Sequence, residues 1–480
     1  MRVHDVDVAI LGAGTAGLGA YKAASKHTDR ILLIDGGPLG TTCARVGCMP
    51  SKLLIAAAET AHRSRHSSIF GVTNSQTIID GKAVMARVQR ERDRFVGFVL
   101  KSIDSIPEAR KMDAYGEFLD DHTLQLSNGD RVKTKAVVIA TGSRPKIPPL
   151  LRNLKNRLLD TDQVFELTDL PKRMAVFGPG VIGLELGQAF SRLGVDIKLF
   201  GVSGGIGGLK DPAVKAYALK TFASEFYLDA KAQVESVEEV GDEVRIHFED
   251  RQGKMVAEKF DYVLAATGRA PNIDPLGLAT TTLSLNDRGM PDFDPFTMQC
   301  GDSSIFLAGD INGDRALLHE ASDEGRIAGA NAAQFPTLRA GLRRAPIAIV
   351  FSDPQIASVG LNLEQVKLRC NESYACGEVS FENQGRSRVI AENKGVLRVY
   401  GEHGTGLFLG AEMIGPRAEH IAHLLSWAVQ QQMTVARMLE MPFYHPVIEE
   451  GVRTALRDLN AKLKIGPVNA KDCMETGPGA

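Results

Sequence analysis

Residues 6–17 read VDVAILGAGTAG, an apolar run that stops in three glycines spaced G-x-G-x-x-G. The next residues, LGAYKAASKH, have the length and small apolar side chains of a helix, and RILLID at 30–35 is a second apolar run. Buried strand, glycine turn, helix and buried strand make a β-α-β unit. In such a unit Gly12 permits the tight turn, Gly14 lets a pyrophosphate approach the backbone, and Gly17 lets helix and strand pack closely. Asp35 closes RILLID, where a ribose hydroxyl would be met. A single G-x-G-x-x-G is a weak signal; the strand before it and the acid after it supply the context.

The unit occurs twice. MAVFGPGVIG at 174–183 repeats the device with Gly178, Gly180 and Gly183, and ATGSRP at 140–145 recurs as ATGRAP at 266–271. Other glycine-bounded apolar runs at 136–142, 195–201, 262–268 and 305–310 read as parallel strands. Beyond residue 346 the pattern changes. IAIVFSDPQIASVG, GVLRVYGE and GLFLGAEMIG suggest antiparallel strands, and IAHLLSWAVQQQ suggests an amphipathic helix. The expected fold is α/β, with two Rossmann-like dinucleotide-binding domains and a C-terminal α+β domain. The first domain is discontinuous, 1–147 and 272–345; the second takes 148–271 and the third 346–480. The tail from 464, KIGPVNAKDCMETGPGA, is polar and expected to be loose.

The second copy differs in one respect. Its strand VDIKLFG ends on Gly201 where an acidic residue is expected, and no arginine stands beside it for a 2′-phosphate. The choice between NAD and NADP is therefore weakly written, with a modest preference for NADH, and Lys198 and Lys210 are the weaker candidates to reach a phosphate. On this reading Gly201→Glu should sharpen the preference for NADH.

Composition narrows the class. A chain of 480 residues is several domains long, and 44% hydrophobic residues supply their cores without disulfide staples. A net charge of −2 gives no field that would draw nucleic acid or an anionic membrane. No stretch approaches the roughly 20 apolar residues of a membrane span, and the N-terminus has no basic segment before an apolar core. A reducing, cytoplasmic setting is expected, where a close cysteine pair is redox or metal chemistry more often than a structural bridge.

Such a pair stands in GTTCARVGCMPSK, residues 40–52, which holds two of the chain's 6 cysteines. A metal site fails on spacing, because no second Cys or His pair completes it nearby, and no metal is expected. Two inert buried thiols fit poorly with the polar, glycine-containing ARVG between them. In a regular helix residues five apart have Cα atoms roughly 8.6 Å from each other, beyond the roughly 7 Å limit for a disulfide. A bridge needs an irregular segment, which Gly47 eases, and Pro50 suits the first turn of the helix that follows. Cys48 then lies near a helix N-terminus, which favours thiolate. A redox-active disulfide is the reading that uses all these features.

GTTCARVGCMPSK also resembles the active-site signature of the pyridine nucleotide-disulfide oxidoreductases. The resemblance covers nearly the whole chain: GAGTAG, both ATG segments, GPGVIGLE, AGD at 308–310, FSDPQIASVG and HPVIEE come in that family's order. It implies FAD on the first domain, NAD(H) on the second with NADP(H) left open, and dimerisation through the third. The implied activity is disulfide oxidoreduction of the dihydrolipoamide dehydrogenase type, the electrons passing between a small dithiol/disulfide or lipoyl group and NAD(H) through FAD. A glutathione-like or mercuric substrate, or a nucleotide-binding flavoprotein without turnover, are the alternatives. Only Cys473 stands in the tail, without the adjacent cysteine of mercuric chemistry.

By the same resemblance Cys43 is the thiol that meets substrate and Cys48 the one beside the flavin, with Lys52 paired to Glu185 near the flavin ring. Asp310 would hold the ribityl chain. Thr42, Gly116, Thr141 and Gly142 would join Gly12, Gly14, Gly17, Asp35 and Lys52 around FAD, and Gly268 would join Gly178, Gly180 and Gly183 around NAD(P). His445 and Glu450 match the family's histidine-glutamate pair, which reaches the disulfide of the other subunit of a homodimer, so that active sites are shared. His445 would be the base and Glu450 its orienter. Phe443 and Tyr444 depart from the HxHP more typical of lipoamide enzymes.

Overall fold

A computed structural model describes residues 1–464; the tail with Cys473 lies outside the described residues. The strand Val3–Leu11 is the middle of a mostly parallel sheet because its second half, Val8 to Leu11, is wholly apolar and buried. It pairs in parallel with Ile31–Ile34 on one side and Arg131–Ile139 on the other. Ile305–Leu307 then joins Arg131–Ile139, so the chain comes back to this sheet after building another. The hairpin Gly116–Asp120 with Thr123–Leu126 extends the sheet antiparallel. Helices Thr15–Ala24 and Leu318–Gln334 cross in backbone contact: a Cβ at Gly325 or Gly329 would overlap the Ala16 or Ala20 carbonyl.

The second sheet is parallel throughout, joining Leu158–Leu159, Arg173–Phe177, Asp196–Phe200, Tyr227–Asp229 and Tyr262–Ala265. An antiparallel meander of Val234–Val240, Glu243–Glu249 and Met255–Phe260 accompanies it. The repeated ATG segments lead into Ser143–Pro145 and Arg269–Pro271, which pair with each other as a short antiparallel ribbon. The third sheet is antiparallel, ordered Ile347–Val350, Gln355–Gly360, Phe408–Gly415, Val396–Glu402, Tyr374–Ser380. Helices Ala418–Gln430 and Glu450–Leu463 pack their apolar faces into its core. Among the described residues no helix is long and apolar enough to cross a membrane.

The sequence patterns above do not show the longest helix, Gly81–Asp104, nor the helices Pro212–Ala223, Leu318–Gln334 and Glu450–Leu463. The longest buries only Met85, Val88 and Ile103 of its 24 residues, and its apolar run FVGFVL at 95–100 is left unburied. Asp80 starts it by accepting the Ala83 N–H at 3.0 Å.

Two fully buried carboxylates join the second and third sheets. Asp211 caps the helix Pro212–Ala223 through the Ala213 N–H (2.9 Å) and receives Arg398 Nε at 2.8 Å. Glu412 accepts three backbone N–H groups, from Lys210 (2.6 Å), Asp211 (3.1 Å) and Leu363 (3.0 Å). The Tyr400 hydroxyl lies 3.0 Å from Asp211 and 3.2 Å from Glu412. Buried carboxylates are tolerable only when their oxygens are this fully used. Glu412→Ala strands three backbone donors at about 1–3 kcal/mol each. It is expected to lower unfolding stability by at least about 3 kcal/mol, measured by urea denaturation; a change below about 1 kcal/mol would mean that the joint contributes little.

Candidate active site

The helices Thr42–Val46 and Cys48–His66 are separated by a break at Gly47 (φ −126°, ψ −114°). The break removes the helical geometry that would hold residues 43 and 48 apart. Thr41 precedes it at φ 62°, a conformation β-branched residues avoid, and its hydroxyl accepts the Ala44 N–H at 3.4 Å. Thr42 opens the short helix and is exposed. Cys48 is the first residue of its 19-residue helix, at the positive end of the helix dipole.

Cys43 is half-buried and Cys48 exposed, and their sulfurs are not bonded to each other. A hydrogen bond couples the two thiols. That hydrogen bond, helped by the Lys52 charge and opposed by burial, brings the Cys48 thiol down to about 7. Cys43 is pushed up by the same bond and by burial. The helix N-terminus and the Lys52 charge both favour thiolate on Cys48.

Lys52, one turn beyond Cys48, donates to Glu185 Oε2 at 2.7 Å, and Glu185 is only 4% exposed. The other oxygen of Glu185 accepts the Phe351 N–H at 2.9 Å, and the Phe351 ring faces the Lys52 ammonium at 4.6 Å. The pair thus spans the helix that follows the cysteines, the helix Val181–Arg192 and the start of the third sheet.

The glycines of the two nucleotide turns divide by cause. A Cβ at Gly12 or Gly17, or at Gly178 or Gly183, would overlap the chain's own backbone. At Gly14 and Gly180 a Cβ would meet nothing within 4 Å. Packing explains the outer glycines of each motif and leaves the middle one unexplained; open space there suits a dinucleotide pyrophosphate passing the backbone. Asp35 turns its carboxylate back on the turn, accepting the Ala13 N–H at 2.5 Å and the Gly37 N–H at 2.8 Å. These residues fit FAD at the first turn and a nicotinamide dinucleotide at the second. Gly268, at φ 99°, likewise has room beside it, whereas a Cβ at Gly116 would come 2.8 Å from Leu11 Cδ2, so packing alone accounts for that glycine.

Asp310 is held by residues the sequence reading passed over. Its Oδ2 accepts the Ser143 hydroxyl at 2.8 Å, and Ser143 Oγ accepts Arg269 Nε at 2.7 Å. Buried Glu324 fixes the turn before it, accepting the Gly309 N–H (2.8 Å) and Asn312 Nδ2 (2.7 Å). Thr141 and Gly142 lie on the same crossing, where Thr141 Oγ1 donates to the Asn272 carbonyl at 3.0 Å. Ser143 and Arg269 both sit in the repeated segments ATGSRP and ATGRAP, of which the resemblance singles out only Thr141, Gly142 and Gly268.

His445 Nδ1 lies 2.9 Å from Glu450 Oε1, and Glu450 Oε2 accepts the Val447 N–H at 3.2 Å. Glu450 is buried; the His445 side chain is 64% exposed. Among the described residues no hydrogen bond or ion pair joins either to Cys43, Cys48, Lys52 or Glu185.

The expectation for residue 201 needs correction. A Cβ at Gly201 would lie 2.6 Å from Pro179 Cγ and 2.9 Å from the Ala230 carbonyl, so glutamate cannot be added there without moving the turn. Lys198 is engaged, donating to Glu258 at 2.6 Å between the Tyr227 and Phe248 rings, and Lys210 lies 3.2 Å from Glu364 in an exposed pair.

Residues 6–325 match the family model described as pyridine nucleotide-disulphide oxidoreductase, and residues 347–456 match the dimerisation domain of that family. The dihydrolipoyl dehydrogenase of Geobacillus stearothermophilus is 32% identical over 457 residues, 93% of this chain and 94% of that protein. The mercuric reductase of Staphylococcus aureus is 28% identical, over 95% of this chain and 82% of its own. Among solved structures, LpdA from Mycobacterium tuberculosis superposes with a TM-score of 0.79 at 23% identity, covering 95% of this chain and 99% of that one. The HOCl-induced flavoprotein disulfide reductase RclA from Escherichia coli gives 0.78 at 20%, with the same coverages. Both share the fold.

In reduced protein, thiolate absorbance should show one active-site cysteine titrating near pH 7, protonated below and anionic above. Cys48→Ser is expected to abolish that step, and Lys52→Met to move it upward by removing the charge that favours the thiolate. A step that survives Cys48→Ser would place the thiolate elsewhere.

Proposed function

The chain belongs to the pyridine nucleotide-disulphide oxidoreductases, FAD-dependent enzymes that use pyridine nucleotides; from that premise we propose that it is of the dihydrolipoyl dehydrogenase type. It oxidises a small dithiol or lipoyl group through Cys43 and Cys48 and passes the electrons to NAD, reversibly. The observation that carries this reading is the cysteine pair set across the break at Gly47, with Cys48 at a helix N-terminus and the Lys52–Glu185 ion pair one turn beyond it. The similarity to dihydrolipoyl dehydrogenase over 93% of the chain supports the substrate class.

The steps follow from the chain's own residues. A substrate thiolate attacks the sulfur of Cys43 in the disulfide form, and Cys48 leaves as thiolate. A thiol brought down to about 7 is a good leaving group near neutral pH. The second substrate thiolate then attacks the substrate sulfur of the mixed disulfide, releasing Cys43 and a substrate disulfide. His445 takes the proton from the incoming dithiol at Nε2, because Nδ1 faces Glu450. Its exposure, and the lack among the described residues of any hydrogen bond or ion pair to Cys43 or Cys48, suit a base offered to a second subunit through the dimerisation domain. Lys52, fixed by Glu185, keeps positive charge beside Cys48. FAD, when bound, supplies the two-electron relay between the dithiol and the nicotinamide.

Steady-state rates with lipoamide, oxidised glutathione and Hg(II), each with NADH, test the assignment. Lipoamide should be the preferred substrate by at least about 10-fold in kcat/KM, and His445→Ala should lower the dithiol reaction by about 10²–10⁴-fold. Preference for Hg(II) or glutathione would move the enzyme to another branch of its family.

A further inference from the structure

A β-α-β unit meets the 2′ position of the adenosine ribose at the end of its second strand. Here that strand is Asp196–Phe200, and the loop after it is Gly201 to Gly208. The turn excludes a side chain at 201, so no carboxylate can stand in the usual place. The loop is instead bonded to the end of the neighbouring strand. Gly201 N–H donates to the Asp229 carbonyl, Gly204 N–H to the Ala230 carbonyl and Ala232 N–H to the Gly201 carbonyl, each at 2.7 Å. This pairing brings Lys231 alongside the loop. Its stem runs so close to Gly204 that a Cβ there would lie 2.8 Å from Lys231 Cε.

The other cations of this edge each have a partner. Lys198 is paired with Glu258, Lys210 with Glu364, and Arg251 donates to the Leu228 carbonyl at 2.7 Å while covering the Tyr227 ring. Lys231 is exposed, and among the described residues its ammonium has no hydrogen bond or ion pair. Asp229, the one carboxylate on this stretch, uses Oδ1 to accept Lys231's own backbone N–H at 2.9 Å.

We infer that Lys231 is a specificity-determining residue that pairs with the 2′-phosphate of NADP(H), making the phosphorylated dinucleotide a substrate of this enzyme alongside NAD(H). The inference rests on the assignment of a nicotinamide dinucleotide to the second turn and is independent of the disulfide substrate. A flexible lysine supplies a point charge and no bidentate fork, so it adds affinity for phosphate without rejecting a ribose that lacks it.

The test is calorimetric binding of adenosine 2′,5′-bisphosphate and 5′-AMP, which differ only in the 2′-phosphate, to the FAD-loaded enzyme. The parent should bind the bisphosphate more tightly, by about 3-fold to 5-fold, the range of an exposed ion pair. Lys231→Met should remove that advantage and change 5′-AMP affinity by less than about 2-fold, while Lys231→Arg should keep it. Equal affinities in the parent, or equal weakening of both ligands in Lys231→Met, would overturn the inference. Failure of 5′-AMP itself to bind would instead sink the assignment of the second nucleotide site. Inactivity towards lipoamide with the bisphosphate preference intact would sink only the proposed substrate.

Discussion

The carboxylate of Glu185 is where the three sheets are made to depend on one another. It lies on the helix of the second nucleotide unit, takes the ammonium of Lys52 from the helix that follows the cysteines, and takes the backbone N–H of Phe351 at the start of the third sheet. A carboxylate this buried is costly unless both oxygens are engaged, and here each has a partner from a different part of the chain. The relative placement of the parts is thereby coupled to the charge beside Cys48. Lys52 favours the Cys48 thiolate, while Glu185 opposes it more weakly. Glu185 thus fixes the lysine and takes back part of its effect.

The same economy of contacts governs the nucleotide turns. Each G-x-G-x-x-G motif uses its outer glycines for its own packing and leaves the middle one free of any intramolecular demand. The two units meet at the ribbon of Ser143–Pro145 and Arg269–Pro271, where Arg269, Ser143 and Asp310 form one hydrogen-bonded line. A residue of the second unit therefore orients a carboxylate of the first. Any shift of the second unit is felt at Asp310, 2.8 Å from Ser143.

Much of this was legible because it is local. The glycine turns, the parallel strands and the cysteine pair are short patterns whose physics is contained in ten or fifteen residues, and Gly47 signalled the break between Cys43 and Cys48 before any coordinates. What was not legible is long-range. Gly201 looked like a missing acid, yet it is enforced by Pro179 and the Ala230 carbonyl, one 22 residues before it and the other 29 after. Lys198 looked available because its partner Glu258 lies on the far meander. The helix Gly81–Asp104 escaped because it buries so few residues, and Arg269 escaped because its target, Ser143, is 126 residues away.

The central claim is that Cys43 and Cys48 interconvert between disulfide and dithiol as electrons enter and leave. Counting thiols in denaturant, before and after one equivalent of NADH is added anaerobically to the oxidised, FAD-loaded enzyme, tests it directly. Of the 6 cysteines, four should react before NADH and all six after it, with Cys43 and Cys48 identified by mass as the new pair. An unchanged thiol count while the flavin is bleached would contradict the account, because the electrons would then stop short of the cysteines.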